Sequence, residues 1–422
     1  MYGKFRSKGH FAAWMAHERR QQRRRDGGNV LPPSVIELLN ARFVAEGDSI
    51  TAGSNGPSWT WAFVSRTRGR FFLPTGYNQG TGGQTAAQMK TQIAAVTALS
   101  PKVVSLLAGT NDLSGTSNTP ATIYADLKAC WKGYIDGGAD YVIAIKVLPR
   151  NDTAWNALSA ARRNDRVILN GLIANLATDP ELAGYASKIR IVDLESGINP
   201  ETDMGDKLHP NWVGAIKLGN AIGDVANTLI VSATLNDLYL DSSNMLLAAK
   251  NPALNGTAGS RTGALNTGQV ADGWKLDENG GMTVVASKTA LNGANAQRVQ
   301  VSGTNSTANR IVNFNAVVSG LTTAIGDKFE ACVDFSLAAG ATNLRNIVVN
   351  HSTASTPNGG NQTVTMDGAG AVSGTLRTTV SAPLGATVTT ITLQCLMQFD
   401  AGTVAADITW GRPYLRKVPA IL

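Results

Sequence analysis

Between Ala41 and about Ile230 the chain alternates short apolar runs with segments of helical period, and after about Ser232 that alternation stops. This change constrains the fold more than any single residue does. The apolar runs at 43–46, 70–73, 103–108, 141–147 and 189–193 are too short and too uniformly apolar for strands with one wet face. Between them, 59–66, 85–99, 120–136, 157–177 and 210–230 read as helices. Thr119-Pro120 is a good helix start, with Thr as N-cap and Pro in the first helical position. The alternation predicts a three-layer α/β domain with a flavodoxin-like, five-stranded parallel sheet. Chemistry in such sheets sits at the carboxyl ends of the strands.

Beyond Ser232 the sequence is rich in Asn, Thr, Gly and Ser, and strand-like alternation recurs at 281–287, 297–301, 310–314, 328–337, 346–349, 362–366, 389–399 and 407–415. Many short strands with Gly and Asn turns predict an antiparallel β-sandwich or jelly roll. The expected organisation is a tail at 1–28, a catalytic domain at 29–232, a linker at 233–250 and a sandwich at 251–422. A fragment ending near Ser232 is expected to fold alone. No internal repeat is evident.

The formal net charge of +7 is concentrated at one end. The first 28 residues hold eight Lys and Arg against two acidic side chains, which leaves the rest of the chain nearly neutral. An enzyme acting on nucleic acid is expected to carry positive charge on its folded surface, so nucleic acid is not an expected partner. The tail lacks the apolar core of a secretory signal, and no run of about 20 apolar residues is present to span a bilayer. It reads as a docking arm for an assembly partner or as a solvated terminus, and the compartment is left open. Oligomerisation is also left open. Three cysteines are too few and too odd in number for a disulfide framework. Cys395 should face a core, and Cys332 should face outward on its strand.

Two segments carry the chemistry. Gly47-Asp48-Ser49 follows the first strand, and Asp206-Lys207-Leu208-His209 opens what reads as the last helix. A serine hydroxyl needs a base within hydrogen-bond reach and a group to orient that base. His209 is the only histidine between Val30 and Val349. Asp206, three residues earlier, can share a turn with it. Asp203 is a rival acid, six residues away. Gly109-Thr110-Asn111-Asp112 falls after the third strand, on the same rim. Asp48 and Asp112 read as loop-bracing acceptors. One His and one Cys in the domain indicate no metal site, and no cofactor is called for.

Taken together, these blocks resemble the SGNH, or GDSL-type, hydrolase family over roughly residues 43–230. Gly47-Asp48-Ser49, Asn78-Gln79-Gly80-Thr81-Gly82-Gly83, Gly109-Thr110-Asn111-Asp112 and Asp206-Lys207-Leu208-His209-Pro210 stand in family order. The resemblance implies Ser49 as nucleophile, His209 as base and Asp206 as acid. It further implies an oxyanion hole from the Ser49 and Gly83 N–H groups and the Asn111 amide. Asp203 departs from the family spacing. The α/β-hydrolase elbow fits badly, because Thr51 stands where its second glycine belongs.

The C-terminal region resembles, less specifically, carbohydrate-binding jelly rolls, on Asn251-Pro252-Ala253-Leu254-Asn255-Gly256, Asp272-Gly273-Trp274 and Ala406-Asp407-Ile408-Thr409-Trp410. Trp274 and Trp410 either stack on sugar rings or fill the core. The reading that follows is a serine esterase acting on acetyl esters of a polysaccharide or on small esters. The alternatives are a glycan-binding or virion-structural protein with a vestigial site, and a lipase. The basic tail and jelly roll are also reminiscent of phage-encoded esterases.

Overall fold

The computed structural model describes residues 41–68, 70–74, 76–229, 238–240, 243–353, 356–366 and 370–418. The basic tail and the first part of the expected linker lie outside them.

The first domain holds five parallel strands: β1 (Ala41–Gly47), β2 (Phe71–Phe72), β3 (Val103–Leu107), β4 (Tyr141–Ile145) and β5 (Ile189–Val192). Their order is β2-β1-β3-β4-β5. All five strands expected from the apolar runs are present. Alternate residues serve two separate cores. Val44, Val104 and Val142 pack with Leu127 and Trp131 of the helix Pro120–Asp136. Phe43, Val103 and Ile143 pack with Trp59, Phe63, Leu218 and Ile222 on the other face. Helix Pro120–Asp136 keeps its expected bounds because Thr119 accepts from the Thr122 N–H and Pro120 lacks the N–H that would be orphaned. The expected helix 85–99 is instead two helices, Ala86–Thr91 and Ile93–Ala98, broken at Gln92.

The second domain is a sandwich of two six-stranded sheets. One runs β15 (Val372–Arg377), β12 (Phe329–Leu337), β17 (Gly402–Lys417), β10 (Ala294–Asn305), β9 (Thr283–Leu291), β7 (Asn266–Gly268). The other runs β14 (Thr356–Thr365), β13 (Leu344–Thr353), β16 (Thr390–Phe399), β11 (Arg310–Ser319), β8 (Val270–Glu278), β6 (Ala258–Thr262). Pairing is antiparallel except β6–β8 and β7–β9. Strands β6, β7, β8 and β15 have no counterpart in the sequence reading.

Several expectations change here. Trp274 and Trp410 are each 1% exposed inside the sandwich core. Trp274 stacks on Phe314 at 4.5 Å, and its indole N–H donates to the Asn251 carbonyl. Neither ring has a face open to a sugar, so the stacking role is corrected to a core role. The linker is corrected in part, because Asn244 accepts from the Leu415 N–H and Leu246 is buried in the sandwich core. Cys332 points away from that core, as expected of its strand parity, yet it is buried, because the first domain covers that part of the sheet. All three cysteines are free.

The cover is built from the helices Thr60–Arg66 and Trp212–Asn227, which lie on edge strand β15. Val213 and Ile216 join the sandwich core. Gly374 permits this approach, since a Cβ there would stand 3.2 Å from Ile216 Cγ2. Beside it, Asn220 Nδ2 donates to Ser373 O at 2.6 Å.

Candidate active site

Strand β1 delivers its last residue, Gly47, to the rim of the sheet, and the chain turns at once into the short helix Ser49–Ala52. Asp48 makes that turn. Its Oδ1 accepts the Ile50 N–H at 2.9 Å, as an N-cap does. The carboxylate is fully buried, and burial pushes it up to about 6. This brace leaves Ser49 at the helix start with its side chain toward the rim.

His209 stands opposite. Its Nε2 lies 2.9 Å from Ser49 Oγ, and its Nδ1 lies 2.7 Å from Asp206 Oδ2. The Asp206 carboxylate also accepts the Leu208 and His209 backbone N–H groups at 3.0 and 2.7 Å. Burial would raise its carboxyl, but the backbone and ring hydrogen bonds of His209 outweigh this and hold it below the usual carboxylate range. The segment is a turn closed by its own side chain, not a helix start. Gly205 N–H donates to His209 O at 2.8 Å, and the helix begins only at Trp212, capped by Asn211. Asp203 is elsewhere, accepting from Lys217 Nζ at 2.6 Å and the Asn199 N–H at 2.8 Å.

The remaining blocks converge on the same rim. Thr81 N–H donates to Gly47 O at 2.9 Å, which sets the glycine-rich loop against the strand end that carries Ser49. Gly83 has φ +79°, a left-handed conformation that favours glycine. Asn111 Nδ2 donates to Gln84 O at 2.9 Å, and Asp112 Oδ2 accepts the Ala86 N–H at 3.0 Å. The asparagine amide is therefore held by the residue that follows Gly83, and its second N–H has no acceptor among the described residues. Asp48 and Asp112 each brace a loop through a backbone N–H.

One group escaped the sequence reading. Arg150, buried beyond the end of β4, donates to Thr110 O at 3.3 Å and to Ser114 Oγ at 3.1 Å, and pairs with Asp152. The next residue, Asn151, donates its N–H to Lys207 O at 3.0 Å. This segment ties the helix bearing Asn111 to the turn bearing His209. Its signal was Pro149-Arg150-Asn151-Asp152 at a strand's carboxyl end, which is weak without the fold.

A hydroxyl, an imidazole and a carboxylate stand in hydrogen-bonded series at the rim of a parallel sheet, an arrangement able to activate the hydroxyl for acyl transfer. Residues 45–215 match the model of the GDSL-like Lipase/Acylhydrolase family, so the chain contains a domain of that family and is a carboxylic ester hydrolase. Comparison with curated proteins gave no match. Among solved structures, the chain is similar to a carbohydrate esterase family 3 protein from Talaromyces cellulolyticus, at 19% identity and TM-score 0.37, covering 46% of this chain and 100% of that one. A lipase/acylhydrolase from Enterococcus faecalis is 23% identical with TM-score 0.34, over 44% of this chain and 94% of that one. A catalytic mutant of Axe2, an acetylxylan esterase from Geobacillus stearothermophilus, is 16% identical with TM-score 0.36, over 47% and 99%.

Proposed function

We propose that this chain is a serine esterase that removes short acyl groups, acetyl above all, from a polysaccharide. The observation that carries the reading is the series Ser49–His209–Asp206, joined at 2.9 and 2.7 Å. His209 Nε2 takes the Ser49 proton as Oγ attacks the ester carbonyl. The Asp206 carboxylate keeps the other ring nitrogen protonated and stabilises the imidazolium. The carbonyl oxygen becomes an anion, for which the Ser49 and Gly83 N–H groups and the Asn111 amide are the donors. His209 then returns the proton to the leaving alcohol oxygen. Water, deprotonated by His209, attacks the acyl-serine carbon, and the carboxylate product leaves with Ser49 reprotonated.

Support for a polysaccharide ester is the β-sandwich joined to the hydrolase domain, and acetyl is the short acyl group proposed. The test is hydrolysis of nitrophenyl esters of rising chain length beside acetate release from acetylated xylan and acetylated glucomannan. The expected result is a preference for acetyl, with release from at least one polymer. Faster turnover of long-chain esters would make the protein a lipase, and Ser49→Ala retaining more than about a tenth of wild-type activity would end the serine mechanism, since triad removal costs several orders of magnitude.

A further inference from the structure

The helix that follows the turn bearing His209 serves two cores. Ala215, Leu218, Ile222 and Ala226 of the helix Trp212–Asn227 pack within the hydrolase domain. Val213 and Ile216 belong to the sandwich core instead, and Trp212 packs against it. The sandwich therefore takes most of the apolar contacts at the end of the helix nearest His209. Val213 stands only four positions after that histidine.

The serine side is built the same way. Thr51 belongs to the short helix that starts with Ser49. Its carbonyl accepts from Ser58 Oγ at 2.9 Å, and its hydroxyl accepts from the Trp59 indole N–H at 3.4 Å. Trp59 leads straight into the helix Thr60–Arg66, which lies on the same edge strand, β15. Trp61 of that helix packs on Trp212, with ring centroids 5.5 Å apart, and on the sandwich core. Bonds inside the catalytic turn, such as Gly205 N–H to His209 O, fix the shape of the turn. They do not fix its distance from Ser49, which depends on how the two helices are seated. The seat is tight, since a Cβ on Gly374 of β15 would stand 3.2 Å from Ile216 Cγ2 and 3.1 Å from Asn220 Nδ2.

We propose that the sandwich is a working part of the active site: through β15 it seats both helices and so holds His209 Nε2 at 2.9 Å from Ser49 Oγ. Val213, Ile216 and Gly374 are thereby positioning residues for the base, and none of them touches the reacting atoms. The inference rests on the Ser49–His209 reading of the site. Proton transfer is steep in distance, and a misplacement of about 1 Å can cost about 10²-fold in rate. The sandwich therefore governs turnover even of a small ester that never meets it, which a domain serving only to tether polymer does not do.

The test uses the full chain and nitrophenyl acetate, with each variant assayed below the onset of its own thermal unfolding. Ile216→Ala empties the seat from the helix side, and Gly374→Val fills it from the strand side. Each should lower kcat about 10–100-fold, with KM within about twofold of wild type. Ile216→Val keeps the branched contact and should hold kcat within about twofold of wild type. Asn220→Ala removes only the bond to Ser373 O, keeps the question decidable if the larger changes prevent folding, and should lower kcat about threefold or more. Val284→Ala is the control for lost stability alone, because Val284 is buried in the same core on β9, four strands from β15. Its kcat should match wild type. A kcat within about twofold of wild type in every folded variant that alters the seat overturns the proposal. So does an equal fall in Val284→Ala, which would make the effect one of general destabilisation. Hydrolysis that persists in Ser49→Ala removes the serine–histidine pair and this proposal with it. Unchanged kcat in the seat variants with Ser49 still essential removes the proposal alone.

Discussion

Arg68 of the hydrolase domain and Asp334 of the sandwich lie 266 positions apart in sequence and 2.7 Å apart in space, in an ion pair whose side chains are 6% and 0% exposed. Arg412 reaches the other Asp334 oxygen at 2.6 Å, and Thr375 and Asn292 donate to the same carboxylate. Burial would raise this carboxyl, but Arg68 and Arg412 hold it below the usual range. The two domains thus share a desolvated charge cluster and, through Val213 and Ile216, a core. The two domains are packed against each other through these residues.

It follows that Asp334→Ala, which strands Arg68 in the interface, should lower stability by about 3–5 kcal/mol in urea denaturation. A loss under about 1 kcal/mol would show that the pair behaves as an exposed one. A fragment ending near Ser232, expected from the sequence to fold alone, should unfold at lower urea than the full chain for the same reason. Matching midpoints would restore the domain as an independent unit.

Asp206 and Asp203 can be told apart by kinetics. Asp206→Asn should reduce kcat by up to about 10⁴-fold with the fold intact, because it removes the acceptor that orients His209. Asp203→Asn should leave kcat on nitrophenyl acetate within about tenfold of wild type, since its carboxylate serves Lys217 and the Asn199 N–H. The reverse ranking would transfer the acid role to Asp203.

For Asn111→Ala, kcat should fall by about 10²–10³ with little change in KM, as expected when a donor acts mainly in the transition state. Steady-state kinetics on nitrophenyl acetate read this directly. A rise in KM with kcat unchanged would make Asn111 a substrate-binding group.

Glu46 gives a pH-dependent prediction. It lies on β1 with its side chain buried, and burial, outweighing the Gly47 N–H, pushes its carboxyl from 4.5 up to about 8. Between those values the folded state keeps a proton that the unfolded chain releases. The contribution of this group to stability is complete below about pH 4.5 and is lost as pH rises through about 8, a matter of a few kcal/mol. Glu46→Gln cannot ionise, so its advantage over wild type in urea should grow from pH 5 to pH 9. Parallel stability curves would mean that Glu46 finds water or a partner.

The amino-acid sequence by itself determined the strand–helix alternation, the parallel sheet and the helix Pro120–Asp136, because these depend on local period and on caps such as Thr119-Pro120. It also placed Ser49, Gly83, Asn111, Asp206 and His209 at strand ends and loops, since each block sits at a change of period. Periodicity even oriented Cys332 correctly relative to its own sheet. It could not say that another domain would cover the outward face, because what packs on a face is set by residues hundreds of positions away. The same limit applied to Trp274 and Trp410, whose burial depends on the opposing sheet. Only the tertiary structure decided that Asp206 rather than Asp203 meets His209, that Arg150 braces the rim, and that Val213 and Ile216 join the sandwich core. An apolar stripe shows that a helix face will be covered, and the covering segment is chosen by packing at long range, which no local pattern contains.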